Sequence, residues 1–191
     1  MRSRIPVFAM IGVCLYLSVT LTAEEKYQAM LLTRGGPNSD PVLKIRIIID
    51  SYTTNEEAWQ LLQTLDQAGY DQFLSLFRRA KKGSMIFMST RGLKIEFHAA
   101  HVIPKEKGKK IMLFTEKQAW ETGVSQRLDG RFPFMVVELD LDDKGKGEGK
   151  IYENVQITLG GDKATGSAMV EMDSFNSAPK SLFRVQTIKT K

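Results

Sequence analysis

The chain has 191 residues, with 27 lysines and arginines against 22 acidic residues, a formal charge of +5, and a single cysteine. So small a positive balance, with acids interleaved, does not suit a nucleic-acid partner. The lone Cys14 excludes an internal disulfide and a zinc–thiolate cluster.

Arg2 and Arg4 precede an apolar run from Ile5 to Leu21, and Leu21-Thr22-Ala23 leads into the charged Glu24-Glu25-Lys26. That is the layout of a secretory signal peptide cut after Ala23. Two other readings stand beside it. An uncleaved anchor needs roughly 20 apolar residues, slightly more than this run offers, and Pro6 lies near its start. A lipoprotein would acylate Cys14, which sits mid-run behind Val13 rather than at the end of the run. Cleavage removes Arg2 and Arg4 with no acidic residue, and leaves a mature chain without cysteine. The expectation is a secreted or periplasmic protein, not membrane-spanning after cleavage. About 165 residues are enough for one core held by burial alone.

Tyr27 to Thr33 suits a short strand or a loosely tied arm, and the breakers from Arg34 to Pro41 form a loop. Leu43, Ile45, Ile47 and Ile49 alternate with Lys44 and Arg46, the pattern of a strand with one buried face. Past Asp50 the period changes. Thr53 with Glu56, or Thr54 with Glu57, supplies a capping box, and Ala58, Leu61, Leu62 and Leu65 recur at helical spacing up to Gly69. Asp71 opens a second helix carrying Phe73, Leu74 and Phe77. It ends among Arg78, Arg79, Lys81 and Lys82, cations that suit the negative end of a helix dipole. A helical hairpin over about 54–82 follows.

From Ser84 the chain reads as strands: Met85–Ser89, Leu93–Phe97 continuing through Val102 and Ile103, Ile111–Thr115 and Phe134–Leu141. A helical turn around Trp120 and a polar loop to Arg131 interrupt them. Asp142 to Gly149 reads as a hairpin connection. Strands near Lys150–Leu159, Ser167–Asp173 and Leu182–Ile188 follow, separated by Gly160-Gly161-Asp162 and by Asn176 to Pro179. Short strands on hairpin-length connections pair antiparallel. The predicted fold is α+β: a curved, mainly antiparallel sheet of roughly eight strands, covered by the helical hairpin. The predicted organisation is a signal peptide over 1–23, an N-terminal strand or arm and loop over 24–41, and a single α+β domain over 42–191.

Glu96, His98 and His101 contain every histidine and form the one candidate metal or general-base cluster. On a regular strand 96 and 98 share a face, while 101 joins them only across a bulge. Gly123 to Arg127 lacks the closing glycine of a nucleophile elbow. Asp140, Asp142 and Asp143 suggest a calcium loop. In that frame Lys144 takes a ligand position and Ile151 replaces the bidentate glutamate, so a hairpin turn fits better. The glycine run from Gly145 to Lys150 is a residue short for a phosphate loop, and Ile151 replaces its hydroxyl residue. No motif calls for a cofactor.

Several stretches resemble a family of small exported bacterial proteins of unknown function, frequent in acidobacteria. They are Ile45 to Asp50, Thr54 to Glu57 with Leu61-Leu62, Phe132 to Phe134, Glu138 to Leu141 and Lys144 to Lys150. The resemblance implies export and a single domain, and no activity.

Three functional expectations follow. The first is a non-enzymatic binding module that holds an apolar small molecule between helices and sheet, lined by Ile47, Leu62, Phe77 and Phe97. The second is a hydrolase or metal-dependent enzyme centred on Glu96, His98 and His101. The third is adhesion to an anionic envelope surface if the basic groups at Arg78–Lys82, Lys105–Lys110 and Lys144–Lys150 converge.

Overall fold

A computed structural model describes residues 24–32, 42–88, 92–116, 134–162, 167–174 and 178–188. The stretches predicted as signal peptide, as a loop from Arg34 to Pro41 and as a helical turn around Trp120, together with the region around Ser125, lie outside these residues. Ten strands and two helices occur among them: β1 (Glu25–Leu32), β2 (Val42–Ile49), α1 (Asn55–Ala68), α2 (Tyr70–Arg79), β3 (Gly83–Phe87), β4 (Lys94–Phe97), β5 (Ala99–Pro104), β6 (Lys109–Glu116), β7 (Phe134–Leu141), β8 (Lys146–Asp162), β9 (Ser167–Ser174) and β10 (Lys180–Thr187). The fold is α+β, and every strand pair is antiparallel.

The strand order is β4-β3-β2-β1-β10-β8-β7-β6-β5, with β9 attached to β8. Its two ends, β4 and β5, are halves of one strand interrupted only at His98. The His98 amide donates to the Phe114 carbonyl at 2.8 Å, which carries the ladder from β5 towards β4. The order therefore returns to its start and the sheet closes, so that eight staves account for the nine strands of the path. Closure needs local bends. One extra residue sits in β10 between Leu182 and Val185, where Arg184 takes φ 52°. Another sits in β8 between Tyr152 and Val155. Such bulges sharpen twist and curvature.

Alternation sorts the side chains into two cores. Tyr27, Ala29 and Leu31 of β1, Ile45, Ile47 and Ile49 of β2, and Phe97, Ile111, Leu113, Leu139, Leu141 and Leu182 belong to one cluster drawn from all around the sheet. This is the barrel interior. None of these residues is more than 3% exposed, so they pack against protein nearly all round. The opposite face of β5–β8 carries Phe114, Phe134, Val136 and Val155, which pack with Phe73, Leu74 and Phe77 of α2 and with Leu61 and Leu65 of α1. Charged residues of β2 such as Lys44 and Arg46 point outward and are exposed. An apolar interior under a charged exterior reverses the arrangement of a membrane-spanning barrel. Among the described residues no helix is long and apolar enough to cross a membrane.

The helical hairpin forms as the sequence predicts. Of the two capping registers, Thr54 and Glu57 is the one used: the Glu57 amide donates to Thr54 Oγ1 at 3.2 Å, and the Thr54 amide donates to the Glu57 carboxylate at 2.8 Å. Thr53 instead holds β5, receiving the Ala100 amide on its hydroxyl at 3.0 Å. Gly69 separates the helices at φ 84°, a conformation open to glycine.

One stretch differs from the sequence reading. The connection before β8 is only Asp142 to Gly145, and β8 begins at Lys146 rather than near Lys150. It also runs on through Gly160, Gly161 and Asp162, which pair with Met169, Ala168 and Ser167 of β9. Gly147 and Gly149 thus lie within a strand, where they let backbone and core approach closely. A Cβ at Gly147 would fall 1.8 Å from the Asp140 carbonyl oxygen, and one at Gly149 would fall 2.9 Å from a Leu139 methyl. Gly147→Ala is expected to lower stability by about 1–3 kcal/mol through this overpacking. Lys146→Ala next to it should stay within about 0.5 kcal/mol. Equilibrium urea unfolding of the two variants checks the pair.

Candidate functional site

The bend at His98 decides the fate of the histidine cluster. Ile95, Phe97 and Ala100 face the interior, whereas Ala99 packs with the helix-side core, so two consecutive residues, 98 and 99, point outward. That extra outward residue puts Glu96, His98 and His101 on one face, the bulge condition the sequence required. It does not bring them into one site. His98 Nδ1 lies 2.8 Å from the Ala80 carbonyl oxygen at the end of α2, and its ring meets Phe77 edge-on at 5.2 Å. A carbonyl only accepts, so Nδ1 carries the proton. Glu96 pairs with Lys94 at 3.5 Å, and His101 is exposed on β5. Among the described residues no three His, Cys, Asp or Glu side chains are grouped to hold a metal.

The four apolar candidates are likewise divided. Ile47 and Phe97 are wholly enclosed in the barrel, Phe77 lies in the core between helix and sheet on the other face, and Leu62 of α1 is half-buried in neither cluster.

A polar cluster occupies one end of the barrel. Glu25 and Lys109 are in phase with the inward residues of β1 and β6, on opposite sides of the strand order. Lys109 Nζ donates to the two Glu25 carboxylate oxygens at 2.7 and 2.8 Å. The same carboxylate accepts from the hydroxyls of Tyr27 at 2.5 Å and Tyr52 at 2.9 Å, and the Lys109 ammonium stands 6.0 Å from the centre of the Tyr52 ring. Burial alone would push the Glu25 carboxyl up. The hydrogen bonds from Lys109, Tyr27 and Tyr52, with the charge of Lys109, outweigh that and hold it below the ordinary glutamate value. Burial, reinforced by the neighbouring carboxylate, pushes both phenols well above the usual tyrosine range. Sequence reading missed this cluster. The sign was a charged residue falling in step with an apolar face, at 25 before 27, 29 and 31 and at 109 before 111 and 113.

Outside the barrel near the same end, the outer face changes character along three strands at once. On β6 Phe114 and Met112 give way to Lys110. On β7 Phe134 and Val136 give way to Glu138 and Asp140. On β8 Val155 and Tyr152 give way to Lys150, Glu148 and Lys146. The switch marks where the helical cover stops. Past it lies a groove of about 490 Å³, floored by Glu138, Asp140–Asp142 and Lys146–Lys150 and bounded by Lys105, Lys107 and Ser181. Two of the three basic groups named from sequence, Lys105–Lys110 and Lys144–Lys150, meet there. The third, Arg78–Lys82, is engaged elsewhere: Arg78 makes a two-bond pair with Glu116, and the buried Lys82 ammonium pairs with Glu57 at 2.7 Å.

Within the groove Lys105 pairs with Asp140, and Lys110 beside it pairs with Glu138 at 3.4 Å. Asp142 is a turn residue, accepting the amides of Lys144 at 2.9 Å and Lys146 at 2.8 Å on Oδ1. These bonds hold its carboxyl below the ordinary aspartate value, with the Lys146 amide the main cause. The calcium and phosphate-loop readings of this stretch give way to a β-hairpin turn followed by a strand.

Comparison with protein-family models, curated proteins and solved structures finds no match for the chain.

Two outcomes are expected from this geometry. Glu25 has a depressed folded pKa, so its contribution is present above the unfolded glutamate value and is lost as pH falls through the folded value. Glu25→Gln should cost about 2 kcal/mol at pH 7. The gap from wild type should close as pH drops below the ordinary glutamate range, as chemical unfolding across pH would show. The second concerns the histidines: zinc binding by isothermal titration should be the same for wild type and for the His98→Ala/His101→Ala pair.

Proposed function

We propose that the protein is an exported, non-enzymatic binding module that engages an envelope component through the groove beside the helix pair. The observation that carries this reading is the convergence of two separate lysine runs on one concave patch where the helices leave the sheet uncovered. Export is supported by the basic n-region, the apolar run and the small residues at Leu21-Thr22-Ala23, and by the resemblance to exported acidobacterial-type proteins. Cleavage after Ala23 would also leave Glu25, the acceptor at the barrel end, within the mature chain.

An apolar guest is the less favoured form of the same reading, because Ile47 and Phe97 already touch protein on every side. The hydrolase or metal-dependent alternative would need Glu96, His98 and His101 to converge. His98 and Glu96 instead have partners of their own.

The test uses the mature chain and envelope fragments of the producing cell. Retention on the fragments should weaken with added salt, because exposed charges are screened. It should fall several-fold in Lys107→Glu/Lys150→Glu and stay unchanged in Lys44→Glu on β2, outside the groove. Retention insensitive both to salt and to the groove pair would overturn the proposal.

A further inference from the structure

Resting on that groove as the binding site, we infer that its ligand is a zwitterion bearing a phosphate and a primary ammonium, the chemistry of phosphoethanolamine. The inference comes from which charges in the groove are already satisfied. Lys105, Lys110, Glu138 and Asp140 are ion-paired, while Asp142 is held by two backbone amides in the turn and keeps its charge. Among the described residues, Lys107, Lys146, Lys150 and Glu148 have no ion-pair partner, and all four are exposed. Three of them stand in a row on β8. Gly147 and Gly149 turn towards the interior, so Lys146, Glu148 and Lys150 face outward in the order plus, minus, plus. The strand rise spaces them roughly 7 Å apart.

That order discriminates between ligands. A bare phosphate is drawn by the lysines but meets Glu148 between two of them. A bare cation gains Glu148 and is repelled by three ammonium groups. A zwitterion satisfies both signs, its phosphate on Lys150 or Lys146 with Lys107 and its ammonium on the Glu148 carboxylate. Lysine supports this role because its ammonium takes phosphate as a compact charge, without the planar fork that arginine would impose. The Ser181 hydroxyl at the rim can donate to a phosphate oxygen. Among the described residues the lining has no aromatic side chain, whereas quaternary ammonium groups are held by aromatic faces. A primary ammonium, with three donors for a carboxylate, is the better fit. The groove volume lies within the range of small-molecule sites.

The experiment titrates the mature protein with O-phosphoethanolamine, phosphocholine and inorganic phosphate, read by amide shifts of Gly147 and Gly149. Phosphoethanolamine should give saturable shifts, with the other two about threefold weaker or more, as expected for one exposed ion pair. Glu148→Gln should weaken phosphoethanolamine about threefold while tightening phosphate. Lys150→Gln should weaken both. Opposite responses to one exposed substitution cannot arise from misfolding. Vesicles then separate the sources: retention on ethanolamine-headgroup but not choline-headgroup vesicles indicates a lipid ligand, and binding only to the soluble compound indicates a free one. Phosphate binding as tightly as phosphoethanolamine, or Glu148→Gln tightening both, would overturn the inference. So would the absence of saturable shifts. If envelope retention still depends on Lys107 and Lys150 in that case, the groove remains the site and only the zwitterion falls. If that dependence is lost as well, both readings fall.

Discussion

At His98 one strand leaves β3 and takes up β6, and the rest of the architecture follows from that change of partner. A regular strand would carry both pairings on a flat sheet whose ends lie far apart. The extra outward residue turns the chain, so the β6 ladder continues where the β3 ladder stops. Eight staves then close, and their inward side chains fill the space between them. The same bend anchors the helices. His98 faces outward and ties the last turn of α2 through the Ala80 carbonyl and the Phe77 ring. A histidine is well suited to this place, since it supplies a donor and a flat apolar face together.

Closure also sorts charge. Neighbouring lysines on β6 have opposite fates: Lys109 points into the barrel end and joins Glu25 and two tyrosines, while Lys110 points out to Glu138. The inward pair can be tolerated because the Glu25 carboxylate has several donors, so that little of its desolvation is left uncompensated. The outward charges are exposed only where α1 and α2 no longer cover the sheet. The groove is thus a consequence of helix length against strand length. A cover of twenty-four helical residues hides Phe114, Phe134 and Val155 and leaves the charged ends of the same strands bare.

Much of this was legible in the residues. β2 is read from alternation, and β7 is predicted with its observed bounds, Phe134 to Leu141, ahead of the turn at Asp142. The helical hairpin shows itself in the capping residues and Gly69. The choice between Thr53 and Thr54 does not, since either hydroxyl fits locally and only the contact of Thr53 with Ala100 settles it. The start of β8 was misread for a similar reason. Glycines at 145, 147 and 149 look alike in a sequence, yet one turns the chain at φ 70° and the other two lie in a strand that bears closely on β7.

The amino-acid sequence by itself determined the class of the fold, the position of the helix pair and the inventory of chemistry: one cysteine at position 14, two histidines, and lysines grouped in runs. These are local properties, set by periodicity, capping and composition. Only the tertiary structure decided that the sheet closes, that Glu25 meets Lys109 across the barrel end, and that two lysine runs share one groove. The last two depend on residues between about forty and eighty-five positions apart in the chain, and closure depends on pairings such as that of Tyr27 with Thr187. Their meeting is governed by register, bulges and strand order, and no local pattern encodes the distance between such partners.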